Sequence, residues 1–585
     1  MGFLCGAVIA PVQWLLVALI PSLLQAQGVP SKSPTPALPQ SAWTIVDLQS
    51  ARRAERVLLG GEASATMTAT LTNLNPEINA SLLLTLQLPG RTAPLEYHLE
   101  NPDPQRRRVV LDVANPGALT IKTGGATMQC SIWPNDLLEQ ARRSKLSYAP
   151  LCEGKLYLRN TVEGNRSSLE ATTEFLRDHV WAGEQIIGFV RREFYVDSFI
   201  ERARPASAAQ VGKEQASPSG APPAALIRAA DAQQAVHVDG LGVDLGRQAG
   251  LVLGQWYPAA GLKKVFVSVV RPGSTDAAVT AGVSAQAALD PVEADALAYL
   301  VGFDLAEFEL GFALGTEHPR LGWSDRVRPG ERDTRLAGPD GIGNALPLER
   351  AGMVNPELQS RVIATFTGGF KREHGAFRHG ALAAVNQGSH YGFVEQGVVF
   401  SRLVPGLSTV YVLADGSVGM NTWAREDDSM LGQIRHARQN GVALLERNPT
   451  GDSALFGALL DQWGPGNWSG SVDEKLRSLR AGACVIDHAG RRFLVYGYFS
   501  AATPRTMARV LRAYGCGYAM HLDMNALEHT YLAMYPRSGS NVVVEHLVRG
   551  MEVLDKTVAA KVVPRFLGFA DDRDFFYLMT RKESQ

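Results

Sequence analysis

The apolar positions of this chain change their period several times, and each change marks an element. Phe3 to Leu24 are almost continuously apolar, and Leu24-Gln25-Ala26 has the small-residue pattern that precedes a signal-peptidase cut, so 1–26 reads as a secretory signal peptide. No Lys or Arg precedes the run, and about 20 apolar residues span a bilayer, so an uncleaved anchor is the alternative. Residues 27–42, rich in Pro and Ser, read as a linker. The runs ASATMTATLTNL, SLLLTLQL and RVVLDV then fall between turn signals and predict strands. Leu169, Thr172, Thr173, Leu176 and Val180 mark one helical face, with a second helix expected after Gly183. Residues 43–200 are therefore expected to form a β-rich accessory domain ending in helices. The block 201–225 is rich in Ala, Pro, Ser and Gly, the composition of a flexible linker. Beyond it, in 226–585, VFVSVV and YLVGFDLAEFELGFALG predict strands, with a helix from Pro291 to Leu300. The class expected is α+β, a C-terminal mixed α/β domain preceded by a β-rich one.

The most legible unit runs from Arg480 to Tyr535. Apolar, β-branched and aromatic runs at Ala483–Ile486 and Phe493–Phe499, separated by Asp487, His488 and Gly490, predict a hairpin. Thr503 can cap a helix, Pro504 fits its first turn and Gly515 fits just past its end. Met507, Val510, Leu511 and Tyr514 share a face, while Arg505, Arg509 and Arg512 take the wet side. Tyr518 to Leu522 then reads as a strand whose exit carries Asp523, Asn525, Glu528 and His529. Ligands of open sheets bind at such exits. An Asp that closes a strand also serves as a turn former or helix cap, which is the competing reading.

Upstream, TFTGGFKREHGAFRHG follows the apolar run Val362–Phe366. Gly368-Gly369 would let backbone N–H groups approach an anion, and Lys371, Arg372, Arg378 and His379 add positive charge, a set suited to phosphate. Most Gly-Gly turns merely reverse a chain. Taken in order, TFTGGFKREHG, LRAGACVIDHAGRRFLVYGYF, TPRTMARVLRAYG and AMHLDMNALEH resemble the phosphodiester glycosidase family over roughly Ala364 to Tyr535. The resemblance implies a phosphodiester-glycosidase-like C-terminal domain, with Asp523 and Arg480 at a site that cleaves sugar-phosphate linkages. It also implies Thr367, Gly368, Gly369, Lys371, Arg378, His379, His521 and Asn525 as substrate-binding residues. Two departures fall at that site: Thr367 stands where the family has Asn, and Met524-Asn525 replace two glycines. A carboxylate beside cationic donors suits an oxocarbenium-like centre and a leaving phosphate, and Glu528 is a second acidic candidate. Alternation puts His521 and Asp523 on one face, and with His529 they could hold a metal or form a hydrogen-bonded network. The network is the commoner outcome without a recognised ligand spacing, so metal and cofactor stay unassigned.

Composition narrows the classes. An apolar fraction of 45% over 585 residues suits a globular protein, and a formal charge of −1 gives no general reason to expect nucleic acid. No stretch after the first could span a membrane. The charged residues Arg159, Arg177 and Glu184 could form a binding patch but read as solvated, and Glu317, His318 and Trp323 read as a turn with a half-buried aromatic, although such a group would also suit a sugar ring. If the signal is cut, Cys130, Cys152, Cys484 and Cys516 remain, and local pairing of the two nearby couples is favoured over four buried thiols. Two functions follow: a secreted or periplasmic hydrolase of glycan phosphodiesters, or a catalytically impaired glycan-binding or scaffold protein.

Overall fold

The computed structural model describes residues 44–59, 67–112, 117–132, 136–168, 170–172, 175, 198–206, 217–246, 250–280, 289–317, 329–331, 345–371, 391–451, 453–461, 477–539 and 541–582. All belong to one compact unit, Pro39–Gln585. The signal and the Pro/Ser-rich segment read from the sequence lie outside the described residues.

The alternating runs near the N-terminus do form strands. Arg53–Leu59, Met67–Asn73, Ser81–Gln87, Leu95–Glu100, Leu156–Arg159 and Tyr148–Leu151 make one antiparallel sheet in that order. Arg107–Leu111, Ala118–Thr123 and Ala126–Ser131 form a smaller sheet beside it. Leu82, Leu84 and Leu86 point into the core shared by these sheets, whereas Leu83 points the other way, into the main core of the molecule. That explains the unbroken SLLL run: a strand covered on both faces needs no polar alternation.

This N-terminal part is fastened to the rest by buried charge. The Arg159 guanidinium lies between Glu100 (2.9 Å) and Glu395, all three side chains being at most 2% exposed. Arg107 forks onto Glu357 at 3.0 and 2.5 Å. Arg159 is thus a buried interface residue rather than the solvated one expected; Arg177 and Glu184 lie outside the described residues. Of the segment 201–225, Arg204–Pro205 pairs with Ala235–His237, and the Pro223 carbonyl accepts from the Trp256 indole at 2.8 Å.

The larger core is built on an eight-stranded sheet ordered Trp256–Pro258, Val265–Val270, Ala298–Asp304, Arg491–Ala502, Ser478–His488, Tyr518–Met524, Ala443–Glu446, Leu455–Phe456. Each neighbouring pair is antiparallel. A five-stranded sheet, Phe308–Ala313, Phe575–Thr580, Val362–Thr367, Leu532–Met534, Glu545–His546, packs within the same core, and a further one holds Ile434–Gln439 at its centre. Among the described residues strands far outnumber helices, so the molecule is mostly β rather than evenly α+β. The helix expected over Pro291–Leu300 stops at Asp295, because Ala298–Asp304 is a fully buried central strand whose pairing on both edges overrides its local pattern. Cys130–Cys152 and Cys484–Cys516 are disulfide-bonded, with Cα separations of 5.4 and 5.8 Å, which fits an extracellular protein. No helix among the described residues is long and apolar enough to cross a membrane.

Candidate functional site

The unit that carries Asp523 folds as its sequence predicts. The Thr503 hydroxyl accepts from the Thr506 amide (3.3 Å), Pro504 opens the helix Pro504–Ala513, and Gly515 past its end has φ +78°. Met507, Val510, Leu511 and Tyr514 are buried against the sheet. The next strand runs to Met524, two residues beyond expectation, so Asp523 lies inside it. The chain then turns at Asn525, φ +80°, a left-handed conformation that Asn tolerates better than most residues. Met524 faces away from Asp523, and its sulfur lies 3.2 Å from Arg480 Nη1.

Asp523 is 5% exposed. Its Oδ1 accepts from the Met524 amide (2.8 Å) and its Oδ2 from Arg573 Nη1 (2.7 Å). Arg573 Nη2 donates to Glu170 Oε1 (2.5 Å), and Lys371 Nζ lies 3.0 Å from that oxygen and 3.5 Å from Asp572 Oδ2. Arg166 Nε is 3.3 Å from the same Asp572 oxygen. The outcome is a row of alternating charges in which each carboxylate is held by at least one cation. On its flank, Glu528 Oε2 accepts from Ser167 Oγ (2.5 Å), and Oε1 is 3.5 Å from His529 Nε2. His529 Nδ1 meets the Met524 carbonyl at 2.7 Å; a carbonyl only accepts, so Nδ1 carries the proton.

These surroundings set the ionisation. Burial alone would raise the Glu170 carboxyl, but Arg573 and Lys371 outweigh it and hold the group well below the usual range. Burial likewise works against Glu528, yet the neighbouring His529 brings it down to about 2. Asp572 goes the other way: burial and the neighbouring Glu170 charge push it up to about 7. Burial, reinforced by Arg480, drives His521 well below its ordinary value and keeps it neutral.

Backbone pairing positions Glu170. Asn165 accepts from the Asp572 amide (3.1 Å) and donates to the Ala570 carbonyl (2.8 Å), laying the segment before Ser167 along residues 570–572. Gly164 permits this approach, since a Cβ there would sit 2.6 Å from the Asp571 backbone. The Gly368-Gly369 turn is tied to Asp523's strand through Asn440, whose Oδ1 accepts from the Phe370 amide (3.0 Å) and whose Nδ2 donates to the His521 and Leu522 carbonyls (2.6 and 2.5 Å). Arg438 closes the turn from below, bonding Asp574 and the Phe370 carbonyl, each at 2.6 Å.

The structure therefore brings Thr367, Gly368, Gly369, Lys371, His521, Asp523 and Glu528 into one neighbourhood, although they come from segments far apart in sequence. Thr367 Oγ1 donates to the His529 carbonyl (2.7 Å), and the His521 ring meets Phe370 edge-on at 4.8 Å. Amides at the turn are engaged internally: Gly368, expected to face an anion, donates to the Asp574 carbonyl (2.9 Å), and the adjoining Phe370 donates to Asn440. Arg480 does not bond to Asp523. Its Nε donates to the Ala502 carbonyl (2.7 Å), and burial lowers its pKa to about 9. Asn525 donates its amide to the Leu479 carbonyl (2.8 Å) on the same side. Arg378 and His379, with Arg372, His318 and Trp323, lie outside the described residues. Sequence reasoning missed Glu170, Arg573, Asp572, Arg438 and Asn440. The run Asp571-Asp572-Arg573-Asp574 immediately before the apolar FFYLM strand was the available signal for two of them, because such a charge density at the mouth of a buried strand demands partners.

No family model and no curated protein matches the chain. Among solved structures it is similar to the catalytic domain of zebrafish N-acetylglucosamine-1-phosphodiester alpha-N-acetylglucosaminidase auto-inhibited by its pro-peptide, at 10% identity over 55% of this chain and 85% of that one, with a TM-score of 0.28. It is also similar to a protein from Burkholderia pseudomallei described as exported (11% identity, 48% and 74% covered, TM-score 0.19). A hypothetical protein from Synechocystis is matched at 9% identity over 90% of this chain and 98% of that one, with a TM-score of 0.26. These are weak likenesses, and no residue role is carried over from them.

Proposed function

We propose that the chain is an exported hydrolase of glycosyl phosphodiesters in envelope or extracellular glycans. The observation that carries this reading is the gathering of Asp523, Glu170, Glu528 and Asp572 with Lys371 and Arg573 beside the Gly368-Gly369 turn. Breaking the bond from the anomeric carbon to the phosphate oxygen leaves a cationic sugar centre and an anionic phosphate. Asp523 is assigned the cationic centre, and Lys371, with Arg378 and His379, the departing phosphate. Glu528, ionised at ordinary pH, is suited to orient the attacking water, and Asp572, titrating near neutrality, to supply a proton. Arg480 is recast as a positioning residue that fixes Met524 behind the strand. Thr367, Gly368, Gly369 and His521 lie beside these groups, while Asn525 turns the chain away on the Arg480 side.

A second reading is favoured by one feature: Arg573 neutralises Asp523 directly. A binding protein descended from such a hydrolase would tolerate that pairing together with Thr367, Met524 and Asn525. Incubation of the secreted protein with N-acetylglucosamine-1-phosphodiester and glycan-phosphate panels separates the two. Release of the free sugar and a phosphate monoester is expected of the hydrolase; ligand retention without release overturns it.

A further inference from the structure

Glu170, Glu528 and His529 come from two distant segments, yet each presents one ligand atom within 4.8 Å of the other two. The imidazole is oriented for more than a hydrogen-bonded network. Its Nδ1–H is spent on the Met524 carbonyl at 2.7 Å, which leaves the Nε2 lone pair facing the carboxylates. Nε2 is enclosed and makes no hydrogen bond, and it stands 3.5 Å from Glu528 Oε1. A lone pair aimed at two carboxylates is repulsive unless something positive lies between them. Backbone anchoring of the far nitrogen is how proteins fix the tautomer and direction of a metal-binding histidine. The bonds from Arg573 and Lys371 to Glu170 both fall on Oε1, and that from Ser167 to Glu528 falls on Oε2, so each carboxylate keeps an oxygen for a further partner.

Asp523, Glu170 and Asp572 are met by Arg573, Lys371 and Arg166, whereas Glu528 is met by Ser167 and His529. Buried carboxylates in such number require compensation by cations, protons or metal.

We propose that Glu170, Glu528 and His529 bind a divalent transition-metal ion. One imidazole and two carboxylates form a mixed nitrogen and oxygen set, which suits Zn²⁺ or Mn²⁺, with Zn²⁺ the tighter of the two. Glu528 and His529 close the AMHLDMNALEH segment, and Glu170 lies outside the matched region altogether. The inference does not depend on the hydrolase reading, since a metal-binding protein without turnover would satisfy it.

The test uses the secreted chain without an affinity tag, stripped with a chelator and dialysed. Titration calorimetry with Zn²⁺ and Mn²⁺ should give one equivalent per chain, and Co²⁺ should bind at the same stoichiometry with visible absorption showing one nitrogen ligand. His529→Gln and Glu528→Gln should each weaken Zn²⁺ binding at least tenfold, the loss expected when a ligand is removed. Glu170→Gln also strips Arg573 and Lys371 of their carboxylate, so its effect is read only in protein whose circular dichroism matches wild type. Absence of stoichiometric binding in the wild-type chain, or binding unchanged in both His529→Gln and Glu528→Gln, overturns the proposal. Metal binding without any release from phosphodiester substrates would retain this site while removing the hydrolase reading.

Discussion

Replacing Asp523 by Asn tests both its chemistry and its place in the buried charge row. The change removes a carboxylate whose Oδ2 receives Arg573 Nη1 at 2.7 Å, while the amide oxygen can still accept from the Met524 backbone N–H. Deleting one partner of a buried ion pair costs ~3–5 kcal/mol when the other charge is stranded. Arg573 is not stranded, because its other terminal nitrogen keeps Glu170 at 2.5 Å, so the expected loss is roughly half that, ~2 kcal/mol. Activity should fall further than stability, by on the order of 10²–10³, the scale of losing one electrostatic stabiliser at a reacting centre. Urea denaturation followed by tryptophan fluorescence gives the first quantity, and initial rates on an N-acetylglucosamine-1-phosphodiester give the second. Asp523→Asn combined with Arg573→Gln completes a double-mutant cycle, and a coupling of ~1–3 kcal/mol is expected for groups in contact. Activity within a few-fold of wild type in folded Asp523→Asn refutes the catalytic role. Strict additivity in the cycle refutes the pairing with Arg573.

Three further outcomes follow from the same geometry. The Asp572 carboxyl is raised from 3.8 to about 7, so the folded state holds a proton that the unfolded chain releases, and stability falls as pH rises across that interval; Asp572→Asn should therefore gain in melting temperature relative to wild type between pH 4 and 7, and parallel profiles would contradict it. Arg159→Met strands Glu100 and Glu395 without their shared cation and should cost ~3–5 kcal/mol in denaturant titrations, with an unchanged midpoint showing that the N-terminal sheet is not fastened this way. Gly369→Ala adds a Cβ 2.7 Å from Arg438 Nη1 at a backbone φ of +137°, so a loss of ~1–3 kcal/mol is expected, and a neutral result would show that the turn relaxes away from Arg438.

The legible parts of this molecule are those whose causes are local. The hairpin, the helix from Thr503 to Gly515 and the strand that follows were readable because capping, proline, glycine and apolar spacing all agree within 40 residues or so. Both disulfides followed from pairing near neighbours in sequence. The failures have a common origin in distance. Glu170 is one more acid in a charged helical segment, and only its pairing with Arg573, on a segment at the other end of the chain, makes it part of the site. Arg159 resembles any surface arginine until Glu395 is placed opposite it. The resemblance places Arg480 at one site with Asp523, but it points to the back of the strand, toward Met524. The helix expected at Pro291–Leu300 was lost to a strand whose neighbours on both edges come from elsewhere in the chain.

The order of strands in the five-stranded sheet bears on how the protein comes to be made. Phe575–Thr580, the latest strand in sequence among those described, lies between Phe308–Ala313 and Val362–Thr367. Until it arrives, two long apolar edges stand unpaired, and such edges are templates for aggregation. The residues that enter just ahead of it, Asp571 to Asp574, include Arg573, the partner of both Asp523 and Glu170. In chain order, the strand that closes the sheet and the arginine that pairs with Asp523 and Glu170 therefore emerge together. A polypeptide held unfolded and released only once these residues are available would escape the exposed intermediate, whereas one folding progressively during synthesis would spend that interval in need of a chaperone.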